Sequence, residues 1–372
     1  MIGRVLAGTA TVLALVGTVA APPVADSVRD REWQLSDLDV AKVHQISQGR
    51  GVIIALIDTG VDAKHSDLTG AILPGYNTHH GPGNDSTGRT DLDGHGTNMA
   101  GIIAGRGHGS GSGILGIAPA AKILPISAPI NGASSSTFMT EAVDFAIAHH
   151  AGVINMSFGT VGSDVMQDAI RKAQAADIVL VAAAGNRGES GEYPGKYPEV
   201  LTVGAYERNH KIAPYSITGP QVDLTAPGDE IPTTGINSTG YGIASGTSEA
   251  TAVVSGAAAL IRAKYPKLDA AEVVRRLTAT ADDAGTPGRD DTFGYGRLDI
   301  LKALTADIAP LPATAASSST AGAIPGPTGA ADAGDLPKAA NPLFVTAVLA
   351  GIVVVLGALV VAWMIRRRRH HS

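Results

Sequence analysis

Val52-Ile53-Ile54-Ala55-Leu56-Ile57-Asp58-Thr59-Gly60 is an unbroken apolar hexad that runs into an aspartate and then a turn. An apolar run this short, bounded by turn residues, reads as a strand buried on both faces, the kind found inside a parallel sheet. Four further runs have the same character: Lys122–Ile126, Val153–Met156, Ile178–Ala183 and Val200–Val203. Between and after them lie segments with helical patterning: Asn98–Ala104, Thr137–His150, Asp164–Ala176, Ala250–Lys264 and Ala270–Ala279. Strands alternating with helices predict an α/β fold with a mostly parallel central sheet flanked by helices. In such sheets ligands meet the carboxyl ends of the strands. Asp58 is therefore the first side chain to weigh as functional.

The two ends are of another kind. Arg4, the apolar stretch Val5–Ala20 and the small residues and prolines of Ala21-Pro22-Pro23-Val24-Ala25 have the pattern of an export signal cleaved after Ala21 or Ala25. The alternative is an uncleaved signal anchor. Leu343–Ile365 holds 23 residues without a charge and is followed by Arg366-Arg367-Arg368-Arg369. A helix of that length rises about 35 Å, enough to cross a hydrocarbon layer of about 30 Å. Consecutive arginines on one flank place that flank in the cytoplasm, and the bulk of the chain then lies outside. The other reading of this run is a buried core helix with a basic tail. The expected order is a signal peptide at 1–25, a globular domain at 26–304, an Ala/Pro/Ser/Gly-rich tether at 305–342, a transmembrane helix at 343–365 and a basic cytoplasmic tail at 366–372.

Charge and cysteine content narrow the function classes. Setting aside Arg4 and the four terminal arginines leaves 23 basic residues against 34 acidic ones, a net −11 for the remainder. So acidic a body argues against a nucleic-acid partner. The chain has no cysteine, which excludes disulfides, thiolate metal sites and cysteine nucleophiles. An exported domain without disulfides depends on its core, and about 280 residues suffice to build one.

Three reactive side chains sit in glycine-rich turns. They are Asp58 in Ile57-Asp58-Thr59-Gly60-Val61-Asp62, His95 in Asp93-Gly94-His95-Gly96-Thr97-Asn98, and Ser248 in Ser245-Gly246-Thr247-Ser248-Glu249-Ala250. A serine hydroxyl becomes a nucleophile when an imidazole takes its proton and a carboxylate holds that imidazole. A helix start beneath the serine adds partial positive charge where an oxyanion develops. Asn186, in Ala182-Ala183-Ala184-Gly185-Asn186, supplies a candidate amide donor beside the backbone N–H of Ser248. Each turn alone resembles an ordinary strand–helix junction; their conjunction, in the order Asp…His…Ser, gives them weight. His65, His79, His80, His108, His149, His150 and His210 show no metal-ligand spacing, and neither a metal nor another cofactor is expected. Asp85, Asp91 and Asp93 are either solvated loop acids or the makings of a calcium loop.

From about Gly51 to Leu301 these segments resemble the subtilase family of serine proteases. Ala55–Asp62 with His65-Ser66-Asp67-Leu68 resembles its aspartate motif, and Gly94-His95-Gly96-Thr97 with Ala100–Ala104 its histidine motif. Ser245–Ser248 with Ser255–Leu260 resembles its serine motif. The resemblance implies a three-layer subtilisin-like fold, a catalytic triad of Asp58, His95 and Ser248, and Asn186 in the oxyanion hole. It further implies that Val153–Gly159 is an edge strand on which substrate backbone pairs, with Ser157, Phe158 and Gly159 as substrate-binding residues. Two positions depart from the family pattern: Ala252 stands where a proline is usual, and Glu249 adjoins the serine. A carboxylate there is expected either to disfavour acidic substrates or to raise the pKa of His95. Arg187 is expected near the specificity pocket, where it would repel basic side chains.

Only about 30 residues separate the cleavage site from Asp58, too few for the folded pro-domain of most exported subtilases. The short lead, tether, single helix and basic tail together resemble the mycosins, membrane-anchored proteases of type VII secretion, although mycosins often carry disulfides. The implied partners are a protein or peptide substrate, the membrane and a type VII secretion membrane complex. Two alternatives stay open: a structural subunit in which catalysis is secondary, and a surface-tethered degradative protease with no secretion partner.

Overall fold

The computed structural model describes residues 28–78, 85–109, 111–130, 137–187 and 193–309. The expected signal peptide, most of the tether, the 343–365 run, the basic tail, and His79 and His80 lie outside the described residues. Among the described residues no helix is long and apolar enough to cross a membrane.

Two short helices, α1 (Trp33–Asp37) and α2 (Val40–Ile46), precede the first strand, β1 (Ile53–Asp58). There follow β2 (Tyr76–Asn77), α3 (His95–Ala104), the hairpin β3 (Arg106–His108) and β4 (Ser112–Leu115), and β5 (Lys122–Ser127). Next come α4 (Thr137–Ala148), β6 (Val153–Met156), α5 (Asp164–Ala175), β7 (Val179–Ala183), β8 (Leu201–Tyr206) and β9 (Leu224–Pro227). The hairpin β10 (Ile231–Thr234) and β11 (Tyr241–Ala244) leads into α6 (Thr247–Lys264), α7 (Ala270–Ala279) and α8 (Ile300–Thr305).

Among the described residues, seven strands form one sheet in the order β2-β5-β1-β6-β7-β8-β9. Every pairing in it is parallel. Side chains alternate across a strand, so the continuous apolar runs feed two separate cores. Ile54 and Leu56 of β1, with Val153, Val179 and Val181, face Met99 and Ile103 of α3 and Val253, Val254 and Leu260 of α6. Their neighbours Ala55 and Ile57, with Ile154, Leu180 and Ala182, face Met139 and Val143 of α4 and Met166 and Ile170 of α5. This is the expected α/β arrangement, a mostly parallel sheet covered by helices on both faces.

Helix α6 is buried along nearly its whole length: Thr247 and every residue from Glu249 to Ile261 are inside. A helix buried all round needs small side chains to approach its neighbours, which explains the alanines and Gly256. A β-carbon on Gly256 would stand 2.7 Å from Cβ of Ile117. A polar pin crosses this apolar layer where Nδ2 of fully buried Asn155, on β6, donates to Ser255 Oγ at 2.9 Å.

The segment ahead of β1 is clasped to residues far along the chain. Trp33 Nε1 donates to Asp229 O at 3.0 Å, and Ser47 Oγ to Leu260 O at 2.9 Å. Tyr206 Oη donates to Asp37 Oδ2 at 2.7 Å. Glu32 is fully buried at its side chain, pairs with Arg29 at 2.9 Å and accepts from Leu115 N–H. Burial is the chief cause that pushes its pKa up to about 8, against the Leu115 and Arg29 contacts that lower it.

Three sequence expectations shift. Helices α3 and α6 start at His95 and Thr247, three residues ahead of their expected starts, because their first turns are small and polar and carry no apolar periodicity. His95 and Ser248 therefore stand inside the first turns of their helices. Strand β6 lies between β1 and β7, so Val153–Met156 is internal and is not the expected edge strand. Only Ser157, Phe158 and Gly159 run on past its carboxyl end.

Candidate active site

Asp58 is the last residue of β1 and is fully buried. Its carboxylate accepts from Nδ1–H of His95, with oxygens at 2.8 and 3.0 Å, and from Thr59 N–H at 2.8 Å. The approach of α3 to β1 is close enough to require glycine. A β-carbon on Gly96 would lie 2.0 Å from Gly60 O and 3.1 Å from Asp58 Oδ1. Bonding at Nδ1 leaves Nε2 as the basic nitrogen of neutral His95. The imidazole side chain is 28% exposed, whereas that of Asp58 is not exposed at all. Desolvation lowers the histidine pKa, but it is outweighed by Asp58, through charge and hydrogen bond, with Glu249 and Asp93 adding to the rise. The result is a pKa raised to about 9.

Ser248 is half-buried while its neighbours on both sides in α6 are buried. Its Oγ donates to Ser157 O at 2.9 Å, and Ser157 Oγ is 3.0 Å from both Ser248 O and Asn155 Oδ1. The start of α6 is thus laced to the end of β6. Among the described residues no hydrogen bond joins Ser248 Oγ to His95 in this state. Glu249, the next residue, is 4% exposed, and its charge acts on His95.

Asn186 lies just past β7. Its Oδ1 accepts from Thr247 N–H at 3.0 Å and Thr247 Oγ1 at 3.2 Å. That orients the amide with its oxygen against the helix start. A β-carbon on Gly246 would stand 2.8 Å from Glu249 Oε2 and 3.3 Å from Asn186 Nδ2. The Glu249 carboxylate and the Asn186 amide therefore bracket one point beside the turn that carries Ser248. Tyr215 braces this corner, donating to Gly228 O at 2.9 Å while its backbone carbonyl accepts from Arg187 N–H at 2.7 Å. Burial, then Asp229 and Glu249, push its phenol above the usual range.

The remaining candidates fall out differently. The Phe158 side chain turns into the core beneath α4, its ring 6.0 Å from that of Phe138, so it contributes packing. Arg187 is exposed. Asp85 accepts from Thr87 N–H, Thr87 Oγ1 and Arg89 N–H, and Asp91 accepts from five protein donors. Among the described residues no group of three or more ligating side chains is arranged to hold a metal ion. Sequence reasoning missed two carboxylate–imidazole pairs away from this site, His108 with Asp67 and His210 with Asp37, both at 2.6 Å. It also missed the Ser157–Ser248 lacing and the part played by Thr59, which sat within the quoted Asp58-Thr59-Gly60 motif and reads there only as a turn residue.

Similarity to known proteins extends over most of the chain. Subtilisin DY of Bacillus licheniformis is 38% identical over 258 residues, covering 67% of this chain and 89% of the relative. Subtilisin E of Bacillus subtilis is 36% identical over 277 residues, covering 71% of this chain and 68% of the relative. Among solved structures, MycP1 from Mycobacterium smegmatis aligns with a TM-score of 0.66 at 27% identity, over 77% of this chain and 89% of that one. The MycP3 protease from the type VII (ESX-3) secretion system aligns at 0.65 and 31%, over 78% and 90%. A further MycP1 structure is described as that of a serine protease and essential component of the type VII (ESX-1) secretion system. With the Subtilase family matching residues 49–296, the chain belongs to that family and is a subtilisin-like serine endopeptidase.

Proposed function

We propose that the chain is a membrane-anchored endopeptidase in which Ser248 is the nucleophile, His95 its general base and Asp58 the carboxylate that orients His95. The observation that carries this reading is the Asp58–His95 hydrogen bond at the end of β1, beside a helix start whose second residue is Ser248. Ser248 Oγ turns from Ser157 O to His95 Nε2, transfers its proton there and bonds to the scissile carbonyl carbon. The carbonyl oxygen takes the electron pair and is held by Ser248 N–H and Asn186 Nδ2. His95 then protonates the leaving amine, and water repeats the sequence on the acyl-enzyme. Peptide backbone lies along Ser157–Gly159, which continue β6 beyond the sheet.

The secretion role rests on the likeness to MycP1 and MycP3 across the domain, together with the uncharged 343–365 run and the four arginines after it. We place the catalytic domain outside the membrane, the 366–372 tail in the cytoplasm and the substrate among proteins or peptides handled by a type VII machine.

A fluorophosphonate probe labels the wild-type chain and fails to label Ser248→Ala; a wild type that stays unlabelled, though folded, refutes the mechanism. Asn186→Ala lowers kcat by about 10²–10³ with little change in KM, because the donor acts mainly on the oxyanion. The acid limb of kcat/KM follows the loss of the His95 proton, so activity rises as pH rises through the histidine pKa. Removing the neighbouring negative charge in Glu249→Gln lowers that pKa, and the limb moves to lower pH; an unmoved limb discounts Glu249. A chain ending at residue 309 leaves the membrane fraction while the full chain remains in it. Secretion-machine components co-purify with the full chain from detergent-solubilised membranes, and their absence points to a free-acting surface protease.

A further inference from the structure

Asp91 is a second buried carboxylate beside the candidate triad, 6% exposed and touching neither Asp58 nor His95 through a hydrogen bond of its own. Both of its oxygens are spent on donors from the two segments that carry those residues. Oδ1 accepts from Thr59 Oγ1 at 2.9 Å, Asp93 N–H at 3.1 Å and Gly94 N–H at 2.9 Å. Oδ2 accepts from Thr97 N–H at 2.9 Å and Thr97 Oγ1 at 2.6 Å. Five donors and no acceptor form a setting for a carboxylate and not for an amide, whose NH₂ would confront donors.

The two hydroxyls pass the connection on. Thr59 Oγ1, donating to Asp91, accepts from Gly96 N–H at 2.9 Å and lies 3.4 Å from Asp58 Oδ1, while Thr59 N–H binds Asp58. Thr97 Oγ1, donating to Asp91, accepts from Asp62 N–H at 2.9 Å. The turn after β1 (58–62) and the first turn of α3 (95–97) are thus stitched on both sides of His95 through one side chain.

We propose that Asp91 is a positioning residue for the catalytic pair: by fixing Thr59 and Thr97 it sets the separation and angle between Asp58 and His95. This inference rests on the triad reading above. It adds a carboxylate that works without meeting substrate, and it explains why the Asp58-Thr59-Gly60 and His95-Gly96-Thr97 turns need hydroxyls at those two positions.

The test uses the full chain in detergent, with kcat taken per probe-labelled site and His95 titrated by imidazole NMR. Misplacement of catalytic groups on the ångström scale costs up to about 10²-fold. Asp91→Asn therefore lowers kcat about ten- to a hundredfold while KM stays within about twofold. Thr59→Val, which removes the relay hydroxyl without changing charge, has the same effect. Thr59→Ser recovers most of the lost rate, and the Asp91→Asn/Thr59→Val double variant is no slower than the slower single one. The groups whose charges act on His95 are Asp58, Glu249 and Asp93. Thr59→Val alters none of them, so a fall in its His95 titration midpoint reports the loosened Asp58 contact.

A folded Asp91→Asn with kcat within twofold of wild type overturns the inference, as does a Thr59→Val that keeps both kcat and the His95 midpoint. If Asp91→Asn does not fold, the Thr59 pair decides. If the wild type neither turns over nor labels, the triad reading fails, and the His95 midpoint in Thr59→Val alone decides the role of Asp91.

Discussion

Helix α6 has to be buried on all sides and still present Ser248, the proposed nucleophile, near its start. It meets both demands through small side chains along its body and a start pinned at three places. Asn155 holds its third turn at Ser255, Ser157 exchanges hydrogen bonds with Ser248, and Asn186 accepts from Thr247. The pinning residues come from the carboxyl ends of β6 and β7, neighbours in the sheet. Strand order therefore decides which groups surround the serine, and β1, on the other side of β6, brings Asp58 to the same edge. A shift of β6 by one residue would exchange its two faces, and Asn155 would then leave α6 altogether.

Electrostatics at this edge are set by acidic groups in a poorly solvated corner. Asp58, Asp91 and Glu249 are all buried there. Burying carboxylates is costly unless each finds donors. Asp58 and Asp91 are met by imidazole, hydroxyl and backbone N–H groups. Concentrated negative charge favours the imidazolium, which in the proposed mechanism forms in the transition state, and disfavours the neutral imidazole that the mechanism needs beforehand. The raised pKa of His95, to which Asp58, Glu249 and Asp93 contribute, expresses that compromise, with desolvation pulling the other way.

Much of this was legible in the chain itself. The strand at Val153–Met156 and the helix at Ala270–Ala279 match their expected bounds. The turns bearing Asp58, His95 and Ser248 stood out because glycine and reactive side chains rarely coincide by chance at three strand–helix junctions. What stayed hidden was long-range. Nothing local marks Ser157 as the partner of Ser248, 91 residues away. Nothing local shows that β6 is internal, because Val153-Ile154-Asn155-Met156 reads alike at either place in a sheet. The role of Asp91 depends on donors from two separate turns, and its surroundings in sequence, Thr90-Asp91-Leu92-Asp93, suggested solvent or calcium instead.

The clasp formed by the segment ahead of β1 has a consequence for assembly. Trp33 waits for Asp229, 196 residues further on, and Ser47 for Leu260, 213 residues further on. Contacts this distant in sequence are slow to form because the intervening chain must first be ordered. A chain emerging amino end first presents α1 and α2 long before their seats exist. Through much of synthesis Trp33, Val40 and Val43 thus have apolar surface and no core to cover it, the condition in which partly made chains associate wrongly. Among the described residues, the first helices to be made are among the last to be seated.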